Sequence, residues 1–143
     1  MPYQKFFENR RLVMKEHMSY KQIQDNLIKK YRITINEKST CYGRTHVHVK
    51  KRTICKWKQC NSINSTFTLL HEIGHCENNN SKMRRCEEEY YATQWALDQC
   101  RELHIEVPDK ILQSYQRYVY RELDRGIRRG GFGYPTKEEM TLK

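Results

Sequence analysis

Apolar side chains recur along this chain with two different periods, and the changes of period mark out its elements. From Lys5 to Met18, the residues Phe6, Phe7, Val13, Met14 and Met18 stand among charges as one stripe of an amphipathic helix. Ser19 can cap a second helix, Tyr20 to Lys30, in which Tyr20, Ile23, Leu27 and Ile28 repeat the pattern. The period then falls to two in Arg32-Ile33-Thr34-Ile35-Asn36, which predicts a strand, and residues 36–40 read as a turn. Thr45-His46-Val47-His48-Val49-Lys50 and Thr53-Ile54-Cys55-Lys56-Trp57 alternate β-branched and polar residues with little between them, so a hairpin or two neighbouring strands are expected.

Beyond the small sheet the helical period returns. Asn61-Ser62-Ile63-Asn64-Ser65 is rich in capping side chains, and Phe67, Leu69, Leu70, Ile73 and Gly74 continue as a helix from about Ser65 to Glu77. Asn78-Asn79-Asn80-Ser81 ends it, a further helix is expected from about Met83 to Leu103, and Pro108-Asp109 opens a last one through Asp124. The glycines of residues 126–135 argue against helix there, while the arginines and aromatic rings among them suit docking against the fold. The pattern predicts a compact α+β domain over residues 1–125, with a helical part at 1–31, a small sheet at 32–60 and helices over 65–125, followed by a Gly/Arg-rich tail at 126–143.

Composition narrows the picture. A chain of 143 residues supports one core, and with 37% hydrophobic and 31% charged residues that core is lean enough for a bound metal ion to contribute to its stability. No stretch approaches the roughly 18 apolar residues of a membrane span, and Met1-Pro2-Tyr3-Gln4-Lys5 lacks the apolar run of a signal peptide, so no membrane partner and a cytoplasmic location are expected. In that setting the six cysteines are expected as thiols. The net charge of +10 is carried by residues 1–60, with 15 basic against 4 acidic side chains, whereas residues 61–143 hold 12 against 13. This asymmetry favours an acidic partner, nucleic acid or an acidic protein surface, though a solvated basic face would look the same.

The chemistry centres on His71-Glu72-Ile73-Gly74-His75. Residues four apart on a helix face the same way, so both imidazoles can converge on one ion at about 2.0–2.1 Å, a spacing that suits Zn2+. Glu72, about 100° round the helix, can reach a water beside the metal without replacing a histidine, which makes it the natural general base. Two solvated histidines on a surface helix would give the same string, but Phe67, Leu69, Leu70 and Ile73 make this helix apolar elsewhere, and Gly74 costs about 1 kcal/mol relative to alanine in a helix interior, a cost usually tolerated for close packing. A catalytic zinc needs a third protein ligand, for which Glu77, Glu87, Glu88, Glu89 and His104 are candidates. The acidic run also stabilises a helix start, and geometry prefers Glu89 only in that Ala92 and Ala96 would share its face and let the motif helix approach.

Thr66-Phe67-Thr68-Leu69-Leu70-His71-Glu72-Ile73-Gly74-His75 closely resembles the active-site segment of the ImmA/IrrE family of metallopeptidases, with its F-T-L-x-H-E-[LI]-G-H string. Glu89-Tyr90-Tyr91-Ala92 with Trp95-Ala96-Leu97 looks like that family's downstream E-x-x-A segment, which would make Glu89 the third ligand. The likeness covers residues 66–97 and extends back through the strands at 45–57; it departs in the short interval from His75 to Glu89 and in Leu97-Asp98-Gln99-Cys100, where the family often has a leucine-rich stretch ending in proline. The resemblance implies a zincin-like domain in which an HExxH helix packs on a ligand-bearing helix, with one catalytic Zn2+ held by His71, His75 and Glu89 and with Glu72 as base. It further implies a cytoplasmic endopeptidase, of the kind encoded near mobile elements, phages or stress circuits, whose protein substrate is a DNA-binding repressor.

Three other constellations compete for roles. Cys55 and Cys60, with Cys41 upstream and His46 and His48 between, could form a second, structural zinc site, although the spacing of the pair is wide; His46 and His48 share a strand face that could equally line the cleft. Tyr90, Tyr91, His46, His48 and His104 are candidate donors to a developing oxyanion. Met18 to Leu27, followed by Tyr31-Arg32-Ile33, has some likeness to the first helix and turn of a helix-turn-helix, so the rival function is a basic DNA-binding regulatory module that carries a metal site.

Overall fold

The structure is a computed structural model in which residues 18–37 and 44–143 are described. The helix expected from Lys5 lies outside the described residues up to position 17, as does most of the turn before residue 44. Four helices and a three-stranded mixed sheet make a compact α+β arrangement among the described residues.

Helix α1 (Tyr20–Lys30) starts where Ser19 promised: its hydroxyl accepts from Gln22 N at 3.1 Å, and Gln22 Oε1 accepts from Ser19 N at 2.8 Å. Its inner face is Ile23, Gln24 and Leu27, with the Gln24 amide donating to Cys60 O at 2.8 Å and Thr66 Oγ1 at 2.9 Å. Arg32, at φ 53, turns the chain into a strand rather than a second helix.

The strands are short: β1 (Thr34–Asn36), β2 (His46–His48) and β3 (Thr53–Cys55), in the order β1-β3-β2. The expected β2–β3 hairpin forms, antiparallel, while β1 pairs in parallel with β3. Ile35, Ile54 and Val47 thereby fall in one cross-strand row that packs with the helical core. The opposite face carries Asn36, Cys55 and His46 in one row and Thr34, Thr53 and His48 in another.

Helix α2 (Ile63–Glu77) is capped by Ser62, whose hydroxyl accepts from Ser65 N at 3.2 Å, and ends at Asn78, whose backbone and side-chain amides both donate to Gly74 O. Phe67, Leu69, Leu70 and Ile73 are fully buried, which makes α2 the central element of the core. Helix α3 (Arg85–Glu102) crosses it so closely that a Cβ at Gly74 would lie 2.5 Å from Ala92 O, and Ala96 is likewise fully buried. Small residues on both helices are what permit this approach, as the placement of Gly74, Ala92 and Ala96 suggests.

Helix α4 (Asp109–Arg128) runs four residues past its expected end at Asp124. Gly126 lies inside it, with the Tyr134 ring in the space a side chain would need, 2.6 Å from an added Cβ; the helix ends before Gly130, at φ 84. The tail then docks. Arg84 lies over the Tyr134 ring at 4.1 Å and donates to the carbonyls of Phe132 and Gly133; Met140 and Leu142 are buried; Gln116 bonds Met140 O and Leu142 N. No helix among the described residues is long and apolar enough to cross a membrane. Cys55, Cys60, Cys76, Cys86 and Cys100 are free thiols, and Cys41 lies outside the described residues.

Candidate metal centre

The four-residue spacing on α2 brings His71 and His75 together, with Nε2 atoms 3.2 Å apart. Glu89, at the start of α3, points between them: its Oε2 lies 3.0 Å from His71 Nε2 and 3.3 Å from His75 Nε2. All three side chains are largely buried, Glu89 at 2% exposure. Ligands about 2.0–2.1 Å from a tetrahedral ion stand about 3.3–3.4 Å from one another, so this triangle is close to the size a zinc ion requires.

The protons fit only with a cation, or an added proton, at the centre of the triangle. Thr93, one turn after Glu89, donates its hydroxyl to Glu89 O at 2.8 Å, so its oxygen is left to accept from His71 Nδ1 at 3.0 Å. His71 therefore carries its proton on Nδ1 and turns a bare Nε2 lone pair toward a carboxylate oxygen. Glu89 Oε2 is buried without a well-formed hydrogen bond among the described residues. Two acceptors facing each other at 3.0 Å are unfavourable unless a positive centre lies between them. Two imidazoles and one carboxylate are a donor set for a zinc-class divalent cation, and the residues therefore fit a metal.

Charge around the site is set by burial and by this contact. Burial pulls His71 below its usual range, against the opposing pull of Glu89. For His75 burial again lowers, but the Glu89 carboxylate 3.3 Å away, together with the charge of Glu72, raises it overall. Burial would raise Glu89, yet the two imidazoles set against its Oε2 hold it well below the usual carboxylate range. Glu72, 8% exposed, is pushed up to about 7, chiefly by burial, with the His75 charge opposing.

The other candidate ligands are engaged elsewhere. Glu77 pairs with Arg52 at 2.7 Å, Glu87 accepts from Arg84 N at the start of α3, Glu88 pairs with Arg85 at 3.6 Å, and His104 is exposed beyond the end of α3. Arg85 also reaches Glu89 Oε1 at 3.2 Å, so the two oxygens of Glu89 divide between a guanidinium and the imidazole pair. Of the proposed oxyanion donors, His46 lines the cleft; Tyr90 packs in the core, Tyr91 is 44% exposed, and His48 and His104 do not line the cleft. Tyr115, which the sequence did not single out, does line it: its ring tilts over His71 with centroids 4.9 Å apart. Burial raises the Tyr115 phenol, with a Thr68 hydrogen bond opposing, so the phenol keeps its proton at neutral pH. Thr93 was also missed, although a hydroxyl one turn from a candidate liganding carboxylate is a readable signal once α3 is placed.

The site opens into a cleft of about 1000 Å³ between β2, α2, α3 and α4. Arg44, Arg85, Arg117 and Arg121 line it, giving it a basic rim around an acidic floor of Glu72 and Glu89. Of the residues that could form a second metal group, Cys55 clusters with His46 and His48, while Cys60 is exposed and does not join them. No protein-family model, curated protein or solved structure matches this chain.

Proposed function

We propose that this chain is a zincin-like endopeptidase of the ImmA/IrrE type that hydrolyses a peptide bond in a protein substrate, with a DNA-binding repressor or similar regulatory protein as the partner the resemblance suggests. The observation that carries the reading is the triangle of His71 Nε2, His75 Nε2 and Glu89 Oε2 beside a buried carboxyl, Glu72, at the floor of a cleft. Zn2+ held by those three atoms would supply Lewis acidity, polarising a carbonyl and lowering the pKa of water to about 7.

The chain's own residues perform the rest. Glu72, buried beside the triangle, accepts a proton from the attacking water and returns it to the leaving amine. Thr93 holds His71 in one tautomer and one orientation, so its lone pair needs no reorganisation. Tyr115, whose ring lies over His71 at the cleft wall, is our candidate donor to the developing oxyanion. The edge of β2 borders the cleft and offers backbone groups to an extended peptide, while the arginine rim favours acidic side chains in it.

The test pairs metal content with cleavage. Wild type and Glu72→Gln, loaded with zinc, are incubated with a proteome-derived peptide library, and new termini are read by mass spectrometry. Glu72→Gln is expected to keep its zinc and lose on the order of 10²–10⁴-fold in rate; a Gln variant that cleaves as fast as wild type removes Glu72 from the mechanism, and a wild type that binds no zinc removes the enzyme.

A further inference from the structure

The sheet carries a second group of ligating side chains that the peptidase reading does not use. The β2–β3 register sets His46 opposite Cys55, and His48 follows two residues on along the same face. One ligand atom from each of His46, His48 and Cys55 lies within 4.8 Å of the other two. The two imidazoles meet edge to face, 5.4 Å between centroids.

Two further contacts prepare these side chains as ligands. His46 Nδ1 lies 3.0 Å from Arg44 O, and since a carbonyl only accepts, Nδ1 carries the proton and Nε2 keeps its lone pair. Asn36, in register with Cys55 on β1, donates its side-chain amide to Cys55 Sγ at 3.8 Å. Cys55 is 2% exposed, His46 half-buried and His48 exposed, so the group is anchored in the sheet and open on the His48 side.

We propose that His46, His48 and Cys55 form a second cation site, sulfur-containing and separate from the His71–His75–Glu89 centre, that takes a zinc-class divalent ion. Two imidazoles and a thiolate select borderline-soft cations over Mg2+ or Ca2+. On binding, the Cys55 thiol releases its proton to solvent as the metal–sulfur bond forms, so affinity rises with pH. His46 is also a wall of the cleft, so an ion here would pin edge strand β2 to β3 where a substrate passes. The site stands whether or not the cleft hydrolyses peptides.

Cobalt titration of the metal-free full chain separates the two centres, because only a sulfur ligand gives thiolate-to-cobalt charge-transfer absorption. Wild type should bind two Co2+ per chain with such a band. The band should survive His71→Ala and vanish in Cys55→Ser. In His48→Ala, which alters an exposed side chain and leaves the core intact, its midpoint should move to about 10-fold higher cobalt or beyond. A single Co2+ per chain with no charge-transfer band would overturn the proposal, as would a band that His48→Ala leaves unmoved. Because Cys55 is buried, His48→Ala decides the matter if Cys55→Ser does not fold.

Discussion

Replacing Gly74 by alanine sets two familiar effects against each other. Alanine in a helix interior is favoured over glycine by about 1 kcal/mol, so in open space the substitution stabilises. Here the new methyl would stand 2.5 Å from Ala92 O, 3.0 Å from Ala92 Cα and 3.1 Å from its carbonyl carbon. All three are backbone atoms of α3, and no rotamer change relieves the collision. Restoring ordinary contact at about 3.5 Å requires the two helices to part by something approaching 1 Å, and overpacking of this kind costs about 1–3 kcal/mol. Because backbone meets backbone, we place the cost near the upper end and the net loss at about 2 kcal/mol. For a chain of this size that is a fall in Tm of about 4–8 °C, readable by thermal melting of metal-free protein. The same displacement moves His71 and His75 away from Glu89, so zinc affinity, measured by competition with a chromophoric chelator, should fall on the order of 10-fold. A variant that melts higher than wild type and binds zinc equally well would show that α2 and α3 are not held at this separation.

Glu72 gives a pH-dependent signature. Its pKa is 4.5 when the chain is unfolded and about 7 in the metal-free fold, so the proton binds more tightly to the folded state. The stability it contributes is fully present below about pH 4.5 and is lost as pH rises through about 7, an upper limit of ~3 kcal/mol. Metal-free Glu72→Gln should therefore gain on wild type between those values and level off above them; denaturant unfolding curves that stay parallel from pH 4.5 to 8 refute the buried carboxyl. Thr93→Val keeps the shape but removes the acceptor for His71 Nδ1, and zinc affinity should drop about 10–100-fold while Thr93→Ser restores it; equal affinity in all three proteins means that Thr93 does not orient His71. Adding a strong chelator to zinc-loaded protein should lower Tm, since an ion present at 1,000 times its Kd stabilises by about 4 kcal/mol; an unchanged melt argues against metal at either centre.

How far the sequence could be read depended on whether a residue's role was local. His71, Glu72 and His75 lie within two turns of one helix, so spacing alone places them on a common side, and Ser19 and Ser62 announce helix starts through bonds to residues three positions on. Glu89 was one of five candidates because its role depends on how α3 is rotated about its axis, which Gly74 against Ala92 settles by contact rather than by periodicity. Thr93 became meaningful only once that rotation was known. The grouping of His46 and His48 with Cys55 rather than with Cys60 follows from the β2–β3 register, which short strands with weak alternation do not reveal. The helix end near Gly126 was hidden for a similar reason: glycine disfavours helix locally, whereas its close contact with the Tyr134 ring eight residues later is a tertiary fact.

The docking of residues 130–143 bears on how this protein should be dissected. Arg84, just before the helix that presents Glu89, grips the carbonyls of Phe132 and Gly133, and Gln94 Oε1 accepts from Lys143 N at 2.8 Å, so the liganding helix is clasped at two points a decade of residues apart. A fragment trimmed after Arg129 would retain His71, His75 and Glu89 while losing that clasp. Weak zinc uptake by such a fragment would then reflect a loosened support and would say nothing against the three proposed ligands themselves.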